Sequence, residues 1–240
     1  TGSWDFPVSA GAFDTSYNGG QDIFLTGLSQ NGSTLRMSTF VGGSGWEALN
    51  RFAVEPSGDV VVCGHTSSGD FPMTASAWDP SFAGAMDAVV FRLGADLSFL
   101  EEATYLGGSG EDWCRGLAFV DDGIYIAGNT SSPDLPVSAG AFDATHNGGD
   151  DAWLARLDDG LTDLEYCTYF GGSGDEHGKD PQVDSGGNVV MYGHTTSDDL
   201  PVTTDDSLIA RNRLFRTASD AIDANGNRLR IERNRIRDAG

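Results

Sequence analysis

The sequence predicts an all-β fold of tandem four-stranded repeats, on three observations. A seven-residue segment returns at a near-constant step, the apolar runs are too short for helices, and the 33 glycines punctuate those runs instead of forming tracts. The segment is Thr39-Phe-Val-Gly-Gly-Ser-Gly45, then Thr104-Tyr-Leu-Gly-Gly-Ser-Gly110, then Thr168-Tyr-Phe-Gly-Gly-Ser-Gly174, at spacings of 65 and 64 residues. Asp5-Phe-Pro, Asp70-Phe-Pro, Asp134-Leu-Pro and Asp199-Leu-Pro keep the same step, as do Gly64-His-Thr, Gly128-Asn-Thr and Gly193-His-Thr. A fixed period of this kind marks one supersecondary unit used repeatedly.

Within the second unit, four runs rich in aromatic and β-branched residues read as strands, at about Asp87 to Leu93, Phe99 to Leu106, Cys114 to Val120 and Ile124 to Gly128. A longer connection, Thr66 to Met86, carries the Asp-Phe-Pro landmark and Ala77-Trp78, and its Pro and aromatics predict a packed loop. Four strands per unit at a fixed period fit a β-propeller blade better than an immunoglobulin-like sandwich, which seldom repeats its own sequence in tandem. In the third unit Asp180-Pro181-Gln182 replaces Arg51-Phe52-Ala53. Because Pro donates no hydrogen bond, that strand is expected to be broken or at an edge.

Four motifs together resemble the SBBP family of bacterial β-propeller repeats. They are Gly-Asn-Thr-Ser-Ser-Pro-Asp-Leu-Pro-Val at 128–137, Gly-Ala-Phe-Asp at 140–143, Asp-Ala-Trp-Leu-Ala-Arg-Leu at 151–157 and Thr-Tyr-Phe-Gly-Gly-Ser-Gly-Asp at 168–175. The resemblance covers residues 1–204 and implies a secreted or surface-attached protein, commonly a repeat array within a larger chain, without family-wide catalytic residues. The chain starts inside the inter-unit loop, and a fourth unit fails after Val202. Three units are too few to close a ring that needs about four to eight blades. A fragment, an open array or one part of an oligomeric ring is expected.

After Asp206 the period is lost. Residues 205–240 form an Arg-rich tail in which Ile209-Ala-Arg-Asn-Arg-Leu214 aligns with Ile231-Glu-Arg-Asn-Arg-Ile236 at a step of 22 residues. The alternation resembles right-handed parallel β-helix repeats; a short basic helix, a disordered tail and a misread frame are the competing readings. Charge separates the two parts. Residues 1–206 hold 6 basic and 32 acidic side chains, against 8 Arg and 4 acids in the tail, within a net charge of -22. So acidic a surface repels nucleic acid and anionic membranes. No run reaches the roughly 18 apolar residues of a membrane span.

No catalytic or cofactor-binding set stands out. Cys63, Cys114 and Cys167 fall at different places in the repeat and read as buried free thiols. Asp22, Asp87 and Asp151 each open the first strand of a unit, where a carboxylate can accept amides of the preceding turn. The alternative is a calcium ligand, since Asp150-Asp151, Asp121-Asp122 and Asp198-Asp199 place hard oxygens in loops, but no EF-hand pattern supports it. His65 and His194 share a slot with Asn129 and read as turn or cap groups, while His146 and His177 read as loop residues without a repeated partner. Each Gly-Gly-Ser-Gly lacks the Lys-Ser/Thr of a phosphate loop and reads as a turn. Glu101, Glu102, Glu111, Asp112, Asp175 and Glu176 are numerous enough for a glycosidase pair. Trp4, Trp46, Trp78, Trp113 and Trp153 suit core or inter-blade packing before sugar stacking. The expectation is a non-enzymatic extracellular binding or scaffold module that presents loops to a protein or glycan ligand. Its alternative is the accessory repeat region of a secreted polysaccharide-active enzyme with a catalytic β-helix past residue 240.

Overall fold

Each short apolar run bounded by Gly, Asp or Pro forms a strand in the computed structural model, which describes residues 1–120 and 122–201. Both β-helix segments of the tail lie outside the described residues. The twelve strands are β1 (Ile23–Leu28), β2 (Leu35–Val41), β3 (Glu47–Val54), β4 (Val60–Thr66), β5 (Asp87–Leu93), β6 (Leu100–Leu106), β7 (Asp112–Val120), β8 (Gly123–Thr130), β9 (Asp151–Asp158), β10 (Leu164–Phe170), β11 (Glu176–Val183) and β12 (Val189–Thr195). Among the described residues there is no helix, so the all-β expectation holds. The strands form four antiparallel sheets, ordered β1-β2, β3-β4-β5-β6, β7-β8-β9-β10 and β11-β12.

The sheets are not the sequence units. Each four-stranded sheet joins the second half of one unit to the first half of the next, so β5-β6 and β7-β8, which share a unit, lie in different sheets. The loop amides explain the phase. In the segment 42–46, Gly43 N donates to Glu47 Oε2, Ser44 N to Asp70 Oδ1, Gly45 N to Ser68 Oγ and Trp46 N to Ser67 Oγ. With the Ser44, Gly45 and Trp46 amides committed to groups beyond β4 and the Gly43 amide to the first residue of β3, this short loop steps to a new sheet instead of closing a hairpin between β2 and β3. The second and third units repeat the arrangement through Asp134 and Asp199, which is why the Asp-Phe/Leu-Pro landmark recurs. The long connection 67–86 returns its chain to the rung it left, where Thr66 faces Asp87.

That connection is packed, as its composition predicts. Phe71 is buried against Phe91 and Tyr105, the Tyr105 hydroxyl donates to Ser68 O at 2.7 Å, and Trp78 N donates to Leu161 O at 2.9 Å. The sheets stack face to face. Ile23 and Leu25 of β1 pack on Val60, Val62, Val89 and Phe91 of the second sheet. The opposite face of that sheet, with Val61, Cys63, Ala88 and Val90, packs on Leu117, Ile124 and Ile126 of the third. β11 then lies against β7, β8 and β9. The strands β3, β7 and β11 converge, and because Gly116 has no side chain, Arg51 reaches across it to Asp180 at 3.3 Å.

Pro181 lies on β11, which is continuous and borders its sheet; a register shift between Gly178 and Pro181 absorbs the ring. The edge strands β3 and β7 shift at the equivalent place, between Leu49 and Arg51 and between Cys114 and Gly116. These bulges swing a carbonyl toward the neighbouring strand. A Cβ on Gly64, Gly128 or Gly193 would strike the carbonyl oxygen of Ala48, Trp113 or His177 respectively, which accounts for the glycine of the Gly-His/Asn-Thr landmark. Gly128→Ala is therefore expected to cost about 1–3 kcal/mol by overpacking, read as a lower urea midpoint. Gly69→Ala, whose Cβ would meet only Phe82 at 3.7 Å, should leave the midpoint unchanged.

Candidate functional site

Asp22, Asp87 and Asp151 sit buried at the entrances of β1, β5 and β9. Asp22 Oδ2 accepts Asn18 N at 3.0 Å, Asp87 accepts Ala83 N and Gly84 N at 2.8 and 3.0 Å, and Asp151 Oδ2 accepts Asn147 N at 2.9 Å. Each also faces a second buried carboxylate that the sequence reading did not single out as a set: Glu47, Asp112 and Glu176. The pairs meet over a glycine. A Cβ on Gly42 would lie 2.6 Å from Glu47 Oε2 and 3.0 Å from Asp22 Oδ1; one on Gly107 would lie 2.9 Å from Asp112 Oδ2 and 3.0 Å from Asp87 Oδ1. The signal for the second carboxylate was available, since Glu47, Asp112 and Glu176 keep the steps of 65 and 64 residues. The Glu/Asp alternation concealed it.

Those second carboxylates clamp the loops. Glu47 accepts the Thr66 hydroxyl at 2.6 Å and, in a shorter bond, that of Ser68, together with Gly43 N. Asp112 does the same with Thr130, Ser132 and Gly108 N, and Glu176 with Thr195, Ser197 and Gly172 N. The Thr and Ser of Gly-His/Asn-Thr-x-Ser thus have a structural task 18 to 21 residues away.

Burial dominates the electrostatics of the pairs. Asp87 and Asp151 are pushed up to about 6 by desolvation, against the downward pull of their amide bonds, with the neighbouring carboxylate adding repulsion. Asp22, Glu47 and Asp112 are raised for the same first reason. In the third unit the His146 ring stands where Tyr17 and Phe82 stand in the others, and this neighbour works against the rise at Asp151. Asp22 Oδ1 and Asp151 Oδ1 are buried without a hydrogen-bond partner. One such oxygen suits a shared proton. Calcium takes about six to eight oxygen ligands, whereas the groups around Glu47 and Asp112 are hydroxyl and amide donors already spent on the carboxylate. Among the described residues, no group of three or more His, Cys, Asp or Glu is placed to hold a metal ion.

A second constellation crosses the sheets near the same end. Trp46, His65 and Trp113 stack in series, with ring centroids 5.4 and 4.2 Å apart, and the Arg115 guanidinium lies 4.5 Å from the Trp113 centroid. Arg115 Nε donates to Asn129 Oδ1 at 3.0 Å, and Asn129 Nδ2 to Asp150 Oδ2 at 2.9 Å. Asp150 Oδ2 lies 3.4 Å from His177 Nε2, and His177 stacks on His194 at 4.7 Å. His65, Asn129 and His194 are therefore not turn or cap groups. They lie within the ladders of β4, β8 and β12, one residue before the clamping threonine, and point along the stripe. His177 likewise is a strand residue with two partners, not an isolated loop residue. Burial and the Arg115 charge push His65 down to about 4, so its ring is neutral and Nδ1 is free to accept from Asn50 Nδ2 at 3.0 Å. Trp46 and Trp113 remain half-buried, their rings open in part to solvent.

No protein-family model matches the chain, and no curated protein matches its sequence. The functional reading therefore rests on these side chains.

The remaining sequence candidates disperse. Glu102 ion-pairs with Arg92, which also binds Glu55 and, from the next sheet, Asp159 at 2.7 Å; Glu101 adjoins on the same strand. Glu111 accepts Trp113 Nε1 at 3.4 Å, and Asp175 Oδ1 accepts Asp150 N at 3.1 Å. Asp122 pairs with Arg156, Asp199 holds Ser173, and Asp121 lies outside the described residues. Trp153 is fully buried, Trp78 packs on the same core and Trp4 is 82% exposed. Cys63, Cys114 and Cys167 are buried free thiols.

Two outcomes follow for the carboxylate pairs. A folded-state value of about 6, above the unfolded value near 4, means that protonated Asp151 contributes stability that is full below pH 4 and lost as pH rises through 6. Asp151→Asn mimics the protonated form, so its unfolding free energy should match wild type at pH 4 and exceed it above pH 6, measured by urea titration. Millimolar calcium should leave the melting temperature within about 1 °C of its value in EDTA, since only a native-state ligand raises it; a larger rise would place a cation at the pairs.

Proposed function

We propose that the four sheets are two whole and two half blades of a β-propeller, and that the chain is a non-enzymatic extracellular or cell-surface binding or scaffold module. Its ligand seat is the stripe from Trp46 to His194. The antiparallel meander order within the four-stranded sheets and their face-to-face stacking support the blade reading, together with motifs that resemble SBBP repeats. A protein that is surface-borne in this way needs no membrane span, and among the described residues no helix is long and apolar enough to be one.

The observation that carries the binding reading is the half-buried Trp113 ring, held between His65 and the Arg115 guanidinium. An aromatic face beside a fixed cation, an amide and a carboxylate is the set that recognises a sugar: the ring covers its C–H face, and Arg115, Asn129 and Asp150 pair its hydroxyls. The acid-rich surface and the fixed polar partners favour a neutral glycan over an anionic one. Of the carboxylates offered for glycoside hydrolysis, Asp112 and Glu176 are spent on Thr and Ser hydroxyls, Glu102 on Arg92, Glu111 on the Trp113 indole and Asp175 on the Asp150 amide.

Neutral oligosaccharides on a glycan array, followed by calorimetry of the best binder, test the reading. Trp113→Ala should weaken binding tenfold or more, as truncating an aromatic anchor costs about 2 kcal/mol, with the unfolding midpoint changed little. Equal binding by the variant would remove the stripe as the seat. Turnover of a polysaccharide by the chain itself would favour the enzymatic alternative.

A further inference from the structure

Two of the three thiols meet because their repeat positions differ. Cys63 lies on β4, three residues before the clamping Thr66, and Cys114 lies on β7, two residues after the clamping Asp112. The second and third sheets stack these strands face to face. His65 touches Trp113, with ring centroids 4.2 Å apart, and Leu117 packs in the core that holds Val61 and Cys63. His65, Cys63 and Val61 alternate along β4 and so share one face. Cys63 is midway between the two residues of β4 that meet Trp113 and Leu117, and Cys114 lies within that stretch of β7, so the thiols fall at one level. Asn50 fixes the level from the side, since its Nδ2 donates to Cys114 O at 2.6 Å and to His65 Nδ1 at 3.0 Å. The Cys63 thiol accordingly has the Cys114 thiol as a hydrogen-bonding neighbour, and both residues are 0% exposed.

Stacked sheets lie about 10 Å apart, too far for a disulfide, whose Cα atoms stand about 4.4–6.8 Å apart. These strands come closer than that. At the next interface the counterparts of Cys114 and Cys63 are Gly178 on β11 and Ala127 on β8. There a Cβ on Gly178 would lie 2.8 Å from Gly128 O and 3.3 Å from Ala152 Cβ, which is contact between backbones of neighbouring sheets. The second and third sheets place two cysteines at the positions where the third and fourth have room only for Gly and Ala. In the reduced chain Cys114 Sγ–H is directed at Gly116 O, 3.7 Å away, a weak bond that is easily given up. Cys167 is the contrast: equally buried on β10, it has Asp112 and not a thiol as its charged neighbour.

We propose that Cys63 and Cys114 are an oxidation site, where a small-molecule disulfide acts as oxidant and leaves a disulfide that staples the second sheet to the third. One of the two, as thiolate, attacks a sulfur of the oxidant and expels one small thiolate, leaving a mixed disulfide. The other gives up its proton and attacks the protein sulfur of that mixed disulfide, forming the Sγ–Sγ bond and expelling the second small thiolate. The protein loses two protons and two electrons, and the oxidant is reduced to two thiols. Burial, with Cys114 beside it, holds the Cys63 thiol well above the ordinary thiol range, so the thiolate that starts the exchange is scarce in the folded chain. The bond therefore forms as the sheets come together, and burial then shields it from reductant. It closes residues 64–113 into a loop and joins two sheets that share no backbone ladder, so its main effect is to constrain the unfolded chain. The extracellular or surface setting proposed above is where such a bond persists, but the inference rests on the stacking of β4 on β7 and not on the ligand seat.

The experiment is a thiol count on the full wild-type chain. The protein is refolded from urea in a buffer of oxidised and reduced glutathione, quenched with acid and alkylated in denaturant. Mass spectrometry should show alkylation at Cys167 alone, with the peptides that contain Cys63 and Cys114 joined. At one glutathione ratio the equilibrium constant for the link should be about tenfold or more larger without urea than in concentrated urea, because the fold holds the two thiols together. The linked form should also unfold at a higher urea midpoint than the form kept in dithiothreitol. Three alkylated cysteines, lasting glutathione adducts, a link through Cys167, or an equilibrium constant no larger without urea overturns the staple. The count needs no ligand, so failure of the glycan seat leaves it standing, and its own failure leaves the seat untouched.

Discussion

The backbone ladder between β4 and β5, repeated between β8 and β9, is the interaction on which the rest of the molecule depends. It joins halves of different sequence units into one sheet, so no unit completes a sheet alone. Every covalent neighbour is thereby also a packing neighbour. The chain runs from sheet to sheet through a loop of a few residues, and the sheet it enters already shares an apolar face with the one it left. Stability is then carried largely by nearest-neighbour interfaces, as in other repeat architectures.

Short loops can make that step only if their polar groups are satisfied, and the acids do this work. Asp70, Asp134 and Asp199 hold the serine of each Gly-Gly-Ser-Gly loop from outside, and Glu47, Asp112 and Glu176 hold its glycine amide from inside. The inner set differs physically from the outer one. Asp70, Asp134 and Asp199 are at the surface and lie below the usual carboxylate range because of their hydrogen bonds to serine. Glu47 and Asp112, with Asp22, Asp87 and Asp151 beside the inner set, lie above it because burial outweighs their hydrogen bonds. Part of the large negative charge is therefore internal structure, not a surface feature. The aromatic stripe uses the same strand ends for a different purpose, because the residue preceding each clamping threonine faces the opposite side of the strand.

Strand positions in the second unit were legible to within a few residues, because each run is bounded by Gly, Asp or Pro and carries aromatic or β-branched residues. The packed inter-unit loop was legible in Phe71 and Trp78, and the edge character of β11 in Pro181. The histidines were misread for a geometric reason. Gly64-His65-Thr66 looks like a turn because it begins with Gly, yet that glycine serves a bulge in the partner strand and leaves His65 inside the ladder. Asp22, Asp87 and Asp151 were legible as turn acceptors. Their buried partners were not, since like charges brought together across a loop leave no local pattern.

By itself the sequence determined the all-β class, the number of units and the buried state of the three thiols, all of which follow from local composition and a period that survives any choice of origin. A period cannot set its own phase. Where one sheet ends and the next begins was decided only in the tertiary structure, by which amides of the short loop are captured by side chains from another strand. The same capture decided which acids are paired, which side chains line the stripe, and why Leu117 is covered while Phe52 is exposed. Those relations join residues tens of positions apart, and they exist only once the sheets are stacked.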